Sequence, residues 1–123
     1  MREKRRHARV RFPRRVWCEA AAGTQLARIE DASEEGVFVR TPRPAAEGES
    51  VELTIVADPA DIVLEARVVW SSRDAVGAAR RGMGLRIERF VRGSDLYGAL
   101  LGEQRRNTSS PGWLQSPSAS RGS

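Results

Sequence analysis

Apolar and polar residues alternate in short runs along most of this chain. Ser50 to Val56 sets Val51, Leu53 and Ile55 on one face and Glu52 and Thr54 on the other, the pattern of a half-buried strand. Ile62 to Ser71 repeats it with Leu64, Ala66, Val68 and Trp70 against Glu65, Arg67 and Val69, and Gly82 to Arg89 with Met83, Leu85 and Ile87 against Arg86 and Glu88. Three further runs precede these: Arg15 to Ala20, Gln25 to Asp31 and Gly36 to Arg40, the last stopped by Thr41-Pro42-Arg43-Pro44. Six strands with turn signals and no helix between them predict antiparallel pairing in a small barrel or sandwich. After Gly93 the period changes. Ser94 reads as a cap and Asp95 as a first-turn acid, and Leu96, Tyr97, Leu100 and Leu101 share one face of a helix expected from Ser94 to Gln104. From Arg105 to Ser123 the Ser-, Pro- and Gly-rich composition predicts a disordered tail.

Composition narrows the class. A length of 123 residues supports one domain with a modest core, and 6% aromatics leave Val, Leu, Ile and Ala to build it. Mean hydropathy is −0.48 and 30% of residues are charged, without an apolar run long enough to span a bilayer. Met1 to Arg15 is basic with no apolar run behind it, so no secretory signal is expected, and a cytoplasmic location is. A single cysteine, Cys18, and a single histidine, His7, leave no internal disulfide and no four-ligand zinc site.

The net charge of +5 hides an asymmetry. Residues 1–15 hold eight basic side chains against Glu3, whereas residues 16–104 hold ten basic and fifteen acidic ones. A basic arm on an acidic body suits a compact anion gripped at one spot better than a nucleic-acid duplex, which asks for positive charge along the folded face.

Two segments carry candidate chemistry. In Arg5-Arg6-His7-Ala8-Arg9, guanidinium groups can bind phosphate or the O6/N7 edge of guanine through two parallel bonds, and can stack on a base. In Asp31-Ala32-Ser33-Glu34-Glu35-Gly36, Asp31 is an acceptor matched to the N1 and N2 donors of guanine, Ser33 donates or accepts, and Gly36 offers a positive-φ turn or close approach of a ligand. Each segment alone also has a plain reading, as a solvated basic arm and as an ordinary turn.

Together, in this order and at strand boundaries, they resemble the PilZ domain, a receptor for the bacterial second messenger cyclic di-GMP. That family's motifs Arg-x-x-x-Arg and Asp/Asn-x-Ser-x-x-Gly are matched by Arg5 and Arg9 and by Asp31, Ser33 and Gly36. Val68-Val69-Trp70 and Gly82 to Ile87 look like late strands of the same fold, so the likeness covers roughly residues 4–92. It implies a six-stranded antiparallel barrel over residues 13–104 with a C-terminal helix, a ligand-gripping arm over residues 1–12 and a tail over 105–123. It also implies cyclic di-GMP held by Arg5, Arg6, Arg9, Asp31, Ser33 and Gly36, with Lys4, Arg40 and Trp70 as further candidates. Trp70 is read either as a stacking platform or as a core residue beside Leu64 and Val68, and Arg40 either as a ligand contact or as a solvated edge charge.

Catalysis is the poorest class. His7 has no evident nucleophile beside it, Cys18 reads as a small packing residue, and the carboxylates lack the spacing of a metal site or a paired acid and base. The expected function is a stand-alone, non-enzymatic cyclic di-GMP receptor without cofactor or metal, which signals to a downstream protein through arm closure. The alternative is an adaptor of motility or pilus regulation that works through protein contacts without the nucleotide.

Overall fold

The computed structural model describes residues 8–73 and 80–109. Six strands, β1 (Val10–Ala20), β2 (Gly23–Ala32), β3 (Gly36–Arg40), β4 (Ser50–Ile55), β5 (Ile62–Ser71) and β6 (Gly82–Arg92), are followed by one helix, α1 (Ser94–Ser109). All pairings are antiparallel, in the order β1-β2-β3-β6-β5-β4, and β4 pairs back onto β1 to close the ring. Val16, Ile29, Val39, Leu53, Ile55, Leu64 and Leu85, all fully buried, fill the interior with the branched aliphatic side chains that a sequence poor in aromatics has to use.

β1 begins five residues before the predicted strand. Val10 and Phe12 alternate into the core with Val16 and Cys18, so residues 10–12 belong to the sheet and not to a free arm. Pro13 hides this in the sequence, because proline has no N–H for a ladder. It is accommodated where the β1–β2 register shifts, between Arg11 and Arg14. β6 likewise runs three residues past its expected end, to Arg92.

α1 closes the end of the barrel at which β1 enters. Gly93 makes the corner with φ +89, and a side chain there would press on the Ile62 backbone at 3.1 Å, so glycine is required both for conformation and for space. Tyr97 and Leu101, one turn apart, are buried in the barrel mouth, where the Tyr97 ring meets Phe12 at 5.7 Å and Phe90 at 5.2 Å. The helix also outlasts its predicted end at Gln104, running through Ser109, so residues 105–109 are not tail. The physical reason is anchorage. Gln104 Nε2 donates to the Arg11 carbonyl at 2.7 Å, and Arg105 pairs with Glu34 and donates to the Ala8 carbonyl at 2.9 Å. The remainder of the expected tail, from residue 110, lies outside the described residues.

Among the described residues, no helix is long and apolar enough to cross a membrane. Truncating Leu101 leaves a hole between helix and barrel mouth, and Leu101→Ala is expected to cost about 2–5 kcal/mol of folding stability, measured by denaturant unfolding. A loss below ~1 kcal/mol would mean that α1 rests on the barrel without sealing it.

Candidate functional site

Strand register puts the candidate residues on one outer wall. Asp31 on β2 is the cross-strand partner of Phe38 on β3, Phe38 of Gly84 on β6, and Gly84 of Trp70 on β5. Val37 and Val39 point into the core, so Phe38 between them faces out. It is buried all the same, because Trp70 packs beside it with ring centroids 6.0 Å apart and the Arg80 guanidinium lies 3.7 Å from its ring centre. Gly84, the residue between Phe38 and Trp70 in this row, has no side chain to separate the two rings.

Trp70 is therefore not a core residue. The β5–β6 register shifts between Val68 and Trp70, which inserts Val69 as an extra residue and turns both Val69 and Trp70 outward, 50% and 39% exposed. Simple alternation carried Trp70 inward with Leu64 and Val68, and the bulge breaks that alternation.

Arg9, just ahead of β1, reaches the same wall and donates from Nη1 to Asp31 Oδ1 at 2.7 Å. Two grooves meet at Arg9 and Val69. One, about 390 Å³, is lined by Asp31, Phe38, Trp70, Arg80 and Gly84 as well, and the other, about 450 Å³, by Ser33, Glu35, Gly36, Leu85 and Arg86. Arg40 points to Glu30 Oε2 at 2.6 Å and Arg80 joins Glu30 to Asp31, so the wall carries a run of alternating charge, Arg40, Glu30, Arg80, Asp31, Arg9. Hydrogen bonds from Arg80 and then from Arg40 hold the Glu30 carboxyl below its ordinary range, so it stays ionised.

Beside the Arg105–Glu34 pair, hydrogen bonds from its own backbone, β6 and α1 fix the turn between β2 and β3. Ser33 N–H donates to the Gly36 carbonyl at 2.8 Å, and the Ser33 hydroxyl accepts from Glu35 N–H at 3.2 Å, which leaves the hydroxyl proton for another acceptor. Ile87 N–H donates to the Glu35 carbonyl at 2.8 Å, and the Tyr97 hydroxyl donates to the Ser33 carbonyl at 2.6 Å. Burial, reinforced by the charge of Glu34, pushes the Tyr97 phenol well above its ordinary pKa, so it remains a donor.

Gly36 differs from expectation. Its φ is not positive, and a Cβ at Gly36 would stand 2.6 Å from the Leu85 carbonyl oxygen of β6 and 3.5 Å from Arg9 Nη2. Glycine is needed here for the β3–β6 approach. Arg9, Asp31, Ser33 and Gly36 are thus brought together, whereas Lys4, Arg5, Arg6 and His7 lie outside the described residues. Cys18 is buried in the core and burial pushes its thiol up to about 12, which makes it a packing residue and not a nucleophile.

The sequence places Tyr97 on the apolar face of the helix but gives it, like Phe38, Arg80 and Arg105, no part in the candidate site. Phe38 had a signal, since it alternates against two valines. Arg80 had none, because its place depends on a reach over β3 to β2.

The PilZ domain family model matches residues 3–96. No curated protein matches by sequence. Among solved structures, the chain is similar to the Bacillus subtilis inhibitor of motility MotI/DgrA, with TM-score 0.64 and 20% identity over 87% of this chain and 52% of that one. It is also similar to the PilZ domain of Escherichia coli YcgR with c-di-GMP (TM-score 0.58, 16% identity, 86% and 95%) and to MrkH, described as a c-di-GMP-dependent transcription regulatory factor (TM-score 0.51, 16% identity, 88% and 52%). The chain spans about half the length of MotI/DgrA and of MrkH. At these identities the likeness is one of fold.

Because the Leu85 carbonyl stands where a Gly36 side chain would begin, Gly36→Ala is expected to destabilise the fold by about 1–3 kcal/mol in denaturant unfolding, before any ligand is considered. Unchanged stability would show that β3 and β6 can part at this point without cost.

Proposed function

The chain belongs to the PilZ domain family, and we propose that it is a receptor for cyclic di-GMP which grips the dinucleotide between Arg9, with Arg5 and Arg6 from the preceding arm, and the Asp31-to-Gly36 turn. The observation that carries this reading is the 2.7 Å pair between Arg9 and Asp31, which brings one residue of each motif to one point between two grooves. Cyclic di-GMP offers two phosphates and two guanines. Arg9 is the donor for a phosphate or for a guanine O6/N7 edge, and Asp31 is the acceptor for the guanine N1 and N2 protons. Ser33 has a hydroxyl proton to give on the same side.

The ligand-free pair is inexpensive to replace. Arg9 and Asp31 are 38% and 23% exposed, and a solvated ion pair of this kind contributes about 0–1 kcal/mol. A phosphate for Arg9 and a base for Asp31 exchange one such contact for two charge-assisted ones. Closure also reaches beyond the site. Arg105 holds both Glu34 of the turn and the carbonyl of Ala8, the residue before Arg9, so a shift of the arm changes the surface at the helix end and with it what a downstream protein would meet.

Isothermal calorimetry with cyclic di-GMP, with GTP and a short duplex as controls, tests the reading. Arg9→Lys keeps the charge but loses the planar fork, and should cost ~1–3 kcal/mol of binding. Asp31→Ala should also weaken binding although it makes the wall more positive. Wild-type affinity for Arg9→Lys together with tighter binding by Asp31→Ala would reduce the site to a polyanion patch. A wild-type protein that takes up no cyclic di-GMP would leave the nucleotide-independent adaptor.

Arm closure has its own measurement. Amide exchange of Ala8 and Arg9 should slow when cyclic di-GMP is added, and equal exchange with and without it would remove closure from the mechanism.

A further inference from the structure

A second arginine, which neither motif contains, stands at Asp31. Asp31 presents two carboxylate oxygens: Arg9 takes Oδ1 at 2.7 Å and Arg80, from the connection between β5 and β6, takes Oδ2 at 3.0 Å. The same Arg80 nitrogen reaches Glu30 Oε1 at 2.8 Å, and Arg40 holds the other Glu30 oxygen at 2.6 Å, so the group that steadies Arg80 is itself fixed. The face of Arg80 lies on the Phe38 ring at 3.7 Å. Its guanidinium is thus set in plane by an aromatic ring and in direction by two carboxylates.

We propose that Arg80 is a positioning residue: it holds the Asp31 carboxylate in the orientation that reads guanine, and remains its cationic partner when a ligand phosphate draws Arg9 away. The proposal rests on the receptor reading above. The terminal torsion of an aspartate is broad and two-fold, so a carboxylate released by Arg9 with nothing on its other oxygen would turn freely and lose its aim. With Oδ2 pinned by Arg80, Oδ1 is freed and Oδ2 keeps a second lone pair, giving two acceptors in one plane for the guanine N1 and N2 protons. Adenine carries an acceptor at N1 and a donor at N6, and a carboxylate held in that plane meets one of them with repulsion. Arg80 on this account contributes to the choice of base through Asp31, without touching the base itself.

The test is a double-mutant cycle read by calorimetry on wild type, Arg80→Ala, Asp31→Ala and the pair, each titrated with cyclic di-GMP and with cyclic di-AMP. Arg80 is half exposed, so its removal leaves the core intact. Arg80→Ala should weaken cyclic di-GMP binding about tenfold, equivalent to ~1.4 kcal/mol, while cyclic di-AMP binding changes by less than about twofold. In the Asp31→Ala background, Arg80→Ala should cost nothing further, since the carboxylate it serves is gone. Arg80→Lys, which keeps the charge but not the planar group that lies on the Phe38 ring, should stay nearer to Arg80→Ala than to wild type. Additive losses, equal losses for both dinucleotides, full rescue by lysine or an unaffected Arg80→Ala would each overturn the proposal while leaving the receptor reading standing. A wild type that binds neither dinucleotide would bring down the receptor reading itself and this inference with it.

Discussion

Six short strands closed on themselves leave a mouth at each end, and the mouth at which β1 enters is plugged by Tyr97. The position of this side chain fixes much else. Its ring fills the gap between Phe12 and Phe90, and its hydroxyl cannot be buried without an acceptor, which the Ser33 carbonyl supplies at 2.6 Å. The same bond that satisfies the plug therefore anchors the turn carrying Ser33 and Gly36. Gln104 and Arg105, further along α1, tie down Arg11 and Ala8, so the helix organises both halves of the candidate site from outside it.

The outer wall follows a different logic. An interior packed with Val, Leu and Ile has no room for charge, so the arginines are displaced to the surface, and there most of those near the site find carboxylates. Phe38 would be a liability on that surface. Covering it with the Trp70 ring and the flat face of Arg80 removes it from water and at the same time builds a rigid floor beside Asp31. Pairing Arg9, Arg40 and Arg80 leaves the wall poised, since each contact is weak in water and can be exchanged for a stronger one with an anion.

How far the sequence revealed this depends on what each feature rests on. β3 and β5 appear at the expected bounds because alternation and turn residues are local signals. The start of β1 was concealed by Pro13 and a run of arginines, although Val10 and Phe12 keep the two-residue period. Trp70 was ambiguous because a bulge is set by pairing with β6, which no single strand encodes. Arg9, Asp31, Ser33 and Gly36 were legible as motif positions, but the role of Gly36 in the β3–β6 approach was not, since Leu85 lies far away in sequence. Arg80 was invisible for the same reason: its partners Glu30, Asp31 and Phe38 are all more than forty residues earlier. The end of α1 was misjudged because Asn107, Thr108 and Ser109 have the composition of a tail, whereas Arg105 draws its stability from the turn at Glu34.

Ring closure has a consequence for how this protein can be recognised. Among the described residues every strand has a neighbour on both sides, but the pairing is not complete: Gly23–Ala27 of β2 has no partner on its β3 side and Glu88–Arg92 of β6 none on its β3 side. Recognition by strand addition, in which a peptide extends a sheet and is read largely through its main chain, is confined to short unpaired stretches such as these. A protein that docks elsewhere on this barrel has to read side chains, loops or the helix. Its specificity would then rest on a mosaic of surface groups, the ion pairs that link Arg9, Asp31, Arg80, Glu30 and Arg40 among them.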